Sequence, residues 1–228
     1  MESKFYKPGD ERATQVNQLF RTIARRYDVL NDLMSAGLHR LWKRRLVKLA
    51  GQPRDVLDLC CGTGDIALRF PGRVIGADFT AEMLQVAQTR RASAVGWVRA
   101  DALQLPFPAD AFDVVTVGYG LRNLADLPRG LREIHRVLRP GGRLLTLDFG
   151  KPESVVLRRL YFAYLRTTVP VLGKLFCGDW ETHAYILTSL EHYPAQRGVR
   201  SLMADAGFTE CGFEEFLGGT MAINFGRK

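Results

Sequence analysis

Between Arg54 and Gly207 the apolar residues follow two rhythms in turn. Short runs such as Val56 to Leu59, Val74 to Ala77 and Val114 to Val117 have the length of strands buried on both faces. Between them, apolar positions recur every three or four residues, as on one face of a helix. The expected strands are VLDLC, RVIGAD, VGWVRAD, FDVVTVGYG and RLLTLDF. The expected helices are the short DIALRF, AEMLQVAQTRRA with Thr80 at its N-cap, Asp126 to Leu138 ended by Arg139-Pro140-Gly141-Gly142, and Gly198 to Ala206 stopped by Gly207. Asp126 is placed to cap the third of these, with Pro128 in its first turn. FTECGFEEF and TMAINFG, joined by Leu217, Gly218 and Gly219, read as a final antiparallel hairpin. Alternating strands and helices make an open α/β sheet, mostly parallel, with an antiparallel end.

Two segments stand outside this alternation. Residues from about 14 to 50 are helical in pattern and basic, and residues from about 151 to 193 carry VVLRRLYFAYLRTTVPVLGKLF. Ligands of open sheets sit beyond the carboxyl ends of the strands, so both segments are placed to roof that site. At 228 residues the chain reads as one domain. Its expected parts are an N-terminal cap (1–50), a cofactor-binding core (51–150), a substrate cover (151–193) and a C-terminal helix and hairpin (194–228).

A polar N-terminus and the lack of a long apolar run predict a cytoplasmic protein. Four cysteines, Cys60, Cys61, Cys177 and Cys211, show neither disulfide nor zinc spacing, so no metal is expected. The net charge of +8 suits RNA, an anionic membrane surface or an anionic substrate, and suits plain solubility as well.

Candidate chemistry begins at Val56 to Asp65, VLDLCCGTGD, where Gly62 and Gly64 let a strand turn sharply toward the next helix. Gly62 to Ala67 formally matches the dinucleotide pattern G-x-G-x-x-A, and Asp78 stands where that pattern has its ribose-binding acid. Asp58 argues otherwise: a carboxylate before the turn repels a pyrophosphate and favours an ammonium. Asp101, ending VRAD, offers its carboxylate and the following amide to an adenine edge. S-adenosylmethionine presents an ammonium, a ribose and an adenine without a pyrophosphate.

The chain also resembles the ubiquinone/menaquinone biosynthesis C-methyltransferases, a family of class I S-adenosylmethionine-dependent methyltransferases with a Rossmann-like sheet. The resemblance is carried by IARRYDVLNDLMSAGLHRLWK, VLDLCCGTGD, ADFTAEML, ADALQLPF, YGLRN and HRVLRPGG. It implies strand order 3-2-1-4-5-7-6. It further implies that Gly62 and Thr63 line the methionine end of the cofactor, that Asp78 holds the ribose, and that Asp101 and Ala102 receive the adenine. Gly118 falls at a cofactor position where relatives often have Ser, and Cys60 where a generic methyltransferase has its first loop glycine.

The implied reaction moves a methyl group from sulfonium to a ring carbon of a prenylated quinol, most directly demethylmenaquinol, with a benzoquinol of ubiquinone synthesis as the alternative. A ring carbon becomes nucleophilic when a neighbouring hydroxyl is deprotonated, so the site must stabilise a phenolate. Arg122, Asn123 and Tyr27 are the implied catalytic residues. Arg122 acts better as an anion stabiliser than as a base, because a guanidinium has no lone pair to offer. His183, His192 and Asp148 are candidate proton acceptors. YFAYL and VPVLGKLF, with Arg158, Arg159, Arg166 and Lys174, are expected to form an apolar slot with a basic rim for the isoprenoid tail, in peripheral contact with the inner face of a membrane. Oligomeric state is open, a homodimer included. An RNA methyltransferase is a rival reading, but no nucleic-acid partner is expected: VGYGLRN contains neither (D/N)PPY nor Pro-Cys. An NAD-linked oxidoreductase and a non-catalytic scaffold are the other rivals.

Overall fold

The computed structural model describes residues 11–24, 26–90, 95–177 and 181–228. Three helices come first: α1 (Glu11–Ile23), α2 (Tyr27–Ser35) and α3 (Leu38–Ala50). The sheet then begins with β1 (Asp55–Leu59), β2 (Arg73–Asp78), α4 (Ala81–Thr89), β3 (Val95–Arg99) and β4 (Phe112–Gly118). It continues through α5 (Leu127–Val137), β5 (Leu138–Phe149), α6 (Val155–Cys177), α7 (Glu181–His192), α8 (Ala195–Asp205), β6 (Thr209–Phe216) and β7 (Met221–Arg227). The seven strands lie in the order β3-β2-β1-β4-β5-β7-β6. β1 to β5 pair in parallel, whereas β7 runs antiparallel to both β5 and β6.

All five residues of β1 are buried, which is why its sequence reads as an apolar run instead of alternating. Parity still decides which core each side chain joins. Leu57 and Leu59 pack with Val115, Val117, Leu131 and Ile134 on the α5 and α8 face. Val56 and Val114 join Trp42, Leu46 and Ala50 of α3 on the other. Helix α5 starts where its cap predicts, with the Asp126 carboxylate accepting from the Arg129 amide at 2.9 Å.

Two local expectations change. DIALRF forms only a short 3₁₀ turn, Ala67–Arg69, because Phe70 leaves it extended and Pro71-Gly72 follows. Arg139 to Gly142 does not merely end α5 but belongs to the start of β5, where a bulge lets Phe112 pair with Leu138 and Val114 with Arg143. Gly141, at φ 79°, supplies the left-handed turn that this bulge requires. The end of the helix expected over AEMLQVAQTRRA, residues 91 and 92, lies outside the described residues. Among the described residues, no helix is long and apolar enough to cross a membrane.

Candidate active site

The strand order reverses between β2-β1 and β4-β5, and the turns after β1 and β4 face each other across that switch point. After β1 the backbone enters the left-handed region at Cys60 (φ 55°), Gly62 (55°) and Gly64 (82°). The freed Gly62 amide donates to Asp78 Oδ2 at 2.8 Å, and the Thr80 amide donates to Oδ1 at 2.8 Å. Burial raises the Asp78 carboxyl above its ordinary value, while the Thr80 and Gly62 amides pull it back down.

A cavity of about 790 Å³ opens above this turn. Gly62, Asp78, Asp101, Ala102 and Gly118 all line it, as does Asn123. Its described lining residues include two carboxylates and no lysine or arginine, a poor match for a pyrophosphate and a good one for a cation. Helix α1 roofs it, and Asn17 on that helix brings a buried Oδ1 acceptor that has no partner.

Asp58, Thr63 and Gly64 do not line the cavity; they build the turn beneath it. The Asp58 carboxylate accepts from Thr116 Oγ1 at 2.7 Å and from the Ala67 amide at 3.0 Å. Its burial is nearly complete and lifts its pKa to about 7, against the pull of those two hydrogen bonds. Thr63 Oγ1 donates to Asp28 at 2.9 Å, and Asp28 is also paired with Arg90, which ties α2 to the end of α4. Gly64 is pressed against Trp97: a Cβ there would stand 2.3 Å from the indole. The glycine at 118 has a similar reason, since a Cβ would fall 2.4 Å from Ile66 Cδ1 and leaves no room for a serine with the isoleucine as it stands.

A second cavity, about 490 Å³, adjoins the first through Phe20, Tyr27 and Tyr119. Arg122 lines it and is almost fully buried. Arg122 Nη1 donates to Asp148 Oδ1 and to the Tyr119 carbonyl, both at 2.8 Å, and the guanidinium lies 4.8 Å from the Phe149 ring centroid. Burial works against its charge, but the Asp148 carboxylate, with smaller help from Tyr27 and Tyr185, raises its pKa on balance. Nε is left buried without a partner. Asn123 donates to the Tyr119 carbonyl at 3.0 Å and accepts from the Tyr185 hydroxyl at 2.9 Å. Burial raises the pKa of Tyr27 against the pull of the Arg122 charge, so its phenol stays protonated at neutral pH.

A third cavity, about 1240 Å³, continues from the second past Asn31, Met34, Tyr119 and Phe149. Leu157, Tyr161, Tyr164 and Leu165 of α6 form one wall, and Leu38 and Trp42 belong to the opposite helix. Tyr119 therefore borders all three spaces, and it does so from a left-handed backbone (φ 60°) that a bulky residue rarely adopts. It opens YGLRN, where only Arg122 and Asn123 were expected to act. Of the proton-acceptor candidates, Asp148 is engaged by Arg122, and His192 Nδ1 stands 2.9 Å from the Thr188 carbonyl. The His183 side chain lies outside what the structure describes.

An acidic cavity at the switch point, joined to a buried arginine on YGLRN, is the arrangement to compare with known proteins. The ubiE/COQ5 methyltransferase family model matches residues 8–228. The chain belongs to this family. It is an S-adenosylmethionine-dependent C-methyltransferase. Similar family members include the ubiquinone/menaquinone biosynthesis C-methyltransferase UbiE of Azotobacter vinelandii, 41% identical over 97% of this chain and 92% of that protein. That of Marinomonas sp. is 39% identical over 97% and 93%. Among solved structures, an S-adenosylmethionine-dependent methyltransferase from Thermotoga maritima shares the fold with a TM-score of 0.67 at 21% identity, covering 92% of this chain and 99% of that one. Haemonchus contortus phosphoethanolamine N-methyltransferase 2, solved with S-adenosylmethionine, gives 0.60 at 16% identity, covering 92% and 60%. The first cavity fits the family's cofactor: Asp78, Asp101 and the unpartnered Asn17 Oδ1 are acceptors for a ligand whose polar hydrogens are an ammonium, two hydroxyls and an amine.

Proposed function

We propose that this methyltransferase converts demethylmenaquinol to menaquinol, methylating the ring carbon beside a hydroxyl of a prenylated quinol. The observation that carries the reading is the unpartnered Arg122 Nε in a cavity that joins the cofactor space on one side and a large apolar slot on the other. The names of the similar family members, which cover ubiquinone and menaquinone biosynthesis, support the same class of substrate.

In this reading Asp78 takes the ribose hydroxyls, Asp101 and Ala102 the adenine, and Gly62 and Gly118 the methionine end, with Asp58, Thr63 and Gly64 holding the turn in shape. S-adenosylmethionine supplies an electrophilic methyl carbon when bound. Arg122 stays cationic because of Asp148 and directs Nε at the ring oxygen, lowering the hydroxyl pKa and stabilising the phenolate. Asn123 has one amide hydrogen left after serving Tyr119, and it donates to the same oxygen. Tyr27 is a neutral phenol and acts as a donor. Walls from α2, α3 and α6 shield the ring from bulk water, which strengthens these interactions. The hydroxyl proton leaves to a water molecule; as the C–CH3 bond formed, the S–CH3 bond would break to leave S-adenosylhomocysteine, and the proton of the methylated carbon would follow to water as the ring regains aromaticity. The apolar slot receives the isoprenoid tail, and the exposed Val155, Val156 and Leu160 with Arg158 and Arg159 rest on an anionic lipid surface.

The test incubates the protein with methyl-labelled S-adenosylmethionine and, separately under reducing conditions, demethylmenaquinol, a demethylated ubiquinol precursor and total RNA. Label is expected in menaquinol. Label only in the benzoquinol moves the enzyme to the ubiquinone branch, and label only in RNA overturns the quinol reading.

A further inference from the structure

Two adjoining cavities hold unmet hydrogen-bond demands of opposite kinds. In the second, Arg122 Nε and, at the border with the third, Asn31 Nδ2 are buried donors without partners. In the third, His39 contributes a buried nitrogen, Nδ1, also without a partner. Its other nitrogen, Nε2, lies 2.8 Å from Asp32 Oδ1. Asp32 is ionised, since hydrogen bonds first from Arg40 and then from His39 hold its pKa down to about 2. A carboxylate can only accept, so Nε2 must carry the proton. Burial favours the neutral imidazole, which leaves a bare lone pair on Nδ1. His39 thus offers the third cavity an acceptor in search of a donor, and Asn31 lines both spaces.

A quinol ring matches this pair of demands and a quinone does not. Each quinol hydroxyl both accepts and donates, so one oxygen can take the donors of Arg122 and Asn31 while the other gives its hydrogen to His39. Both oxygens of a quinone only accept, and one of them would face the lone pair of His39. We propose that His39, oriented by Asp32, is the residue through which the enzyme selects the reduced ring. This assignment rests on the quinol reading above and deepens it. His39 binds and positions the ring; the hydroxyl it receives is not the one beside the methylated carbon, because Arg122 and Asn123 serve that one.

Asp32→Asn provides a sharp test. The substitution removes the carboxylate that holds the proton on Nε2: Arg40 donates to both oxygens of Asp32, one of which also faces Nε2, so neither orientation of the amide serves all three donors and Nδ1 is no longer fixed as an acceptor. The measurement is anaerobic calorimetric titration of the S-adenosylhomocysteine-loaded protein with short-tailed menaquinol and with the corresponding menaquinone. Wild type should bind the quinol about tenfold or more tighter, as expected when a buried acceptor is left unpaired opposite a carbonyl. His39→Phe should abolish that preference by weakening quinol binding, and Asp32→Asn should reduce it severalfold. Melting with and without S-adenosylhomocysteine confirms that each variant is folded and loaded. A wild-type ratio near one, or an unchanged ratio in both variants, overturns the His39 assignment. If the loaded wild type binds neither ring, the quinol reading fails instead.

Discussion

The Arg122–Asp148 pair allows stability and catalysis to be separated. Both side chains are more than nine-tenths buried, 7% and 5% exposed, so neither charge is served by solvent when its partner is removed. Asp148→Asn leaves the guanidinium with only the Tyr119 carbonyl and the Phe149 face, and Arg122→Met leaves the carboxylate with the backbone amides at positions 122 and 149. Breaking a buried pair from one side costs about 3–5 kcal/mol. In a domain of this length that corresponds to roughly 6–20 °C in melting temperature. The double variant Arg122→Met/Asp148→Asn removes both charges and keeps an amide oxygen for one of the two backbone donors, so it should recover at least about 2 kcal/mol of the summed single losses. Activity should not recover with it, because the oxyanion donor is gone and kcat falls by about 10²–10³. S-adenosylhomocysteine affinity should stay near wild type, since Arg122 lines the second cavity and not the first. The assays are thermal melts with and without S-adenosylhomocysteine, and anaerobic transfer of labelled methyl to demethylmenaquinol. A double variant no more stable than the sum of the singles, or Arg122→Met with kcat intact, would refute the assignment of Arg122 to chemistry.

Three further outcomes are expected. Asp58 has a folded pKa of about 7, raised by burial above its unfolded value, so the native state holds the extra proton between about pH 4 and pH 7. Its contribution to stability is therefore complete below about pH 4 and is lost as pH rises to 7, by up to about 4 kcal/mol; denaturant melts of Asp58→Asn should show that slope removed. Gly64→Ala must displace the Trp97 indole and hold alanine at φ 82°, so a loss of about 2 kcal/mol or more is expected in the same melts. Replacing Arg158, Arg159 and Arg166 by Glu should weaken sedimentation with anionic vesicles by about tenfold or more while S-adenosylhomocysteine binding is retained; unchanged sedimentation removes the membrane surface from the proposal.

The sheet and the floor of the cofactor cavity were legible because they are local. A buried strand, a glycine turn and an acid at the next strand end succeed one another within about 25 residues, and the backbone carries most of the geometry. Gly62, Asp78, Asp101, Ala102 and Gly118 accordingly meet in one cavity. Asp58 reads differently in the structure because strand parity turns it toward the α3 face. There it stands across from Thr116 on β4, and only the register of two strands 58 residues apart reveals that partner. His39 and Asn31 were still less visible, since in the sequence they are ordinary polar positions on amphipathic helices.

What brings those helices into the site is the bend after β4. Tyr119 occupies a left-handed conformation with its amide fixed to the Leu147 carbonyl at 2.7 Å, while its own carbonyl receives both Arg122 and Asn123. Gly120 can come next only because it has no side chain, as a Cβ there would stand 2.5 Å from Cys60. One strained peptide thus sets the direction of the two polar groups of YGLRN, and the Tyr119 ring beside them borders all three cavities. Strain of this kind costs on the order of 1–3 kcal/mol and persists only where the surroundings hold it. Here they do so from both sides of the switch point, through the β1 turn and through β5. The residue that borders cofactor, ring and tail spaces thus opens a stretch legible in the sequence, but its role is not, because its conformation is held by the Leu147 carbonyl on β5 and by the packing of Gly120 against Cys60 in the β1 turn.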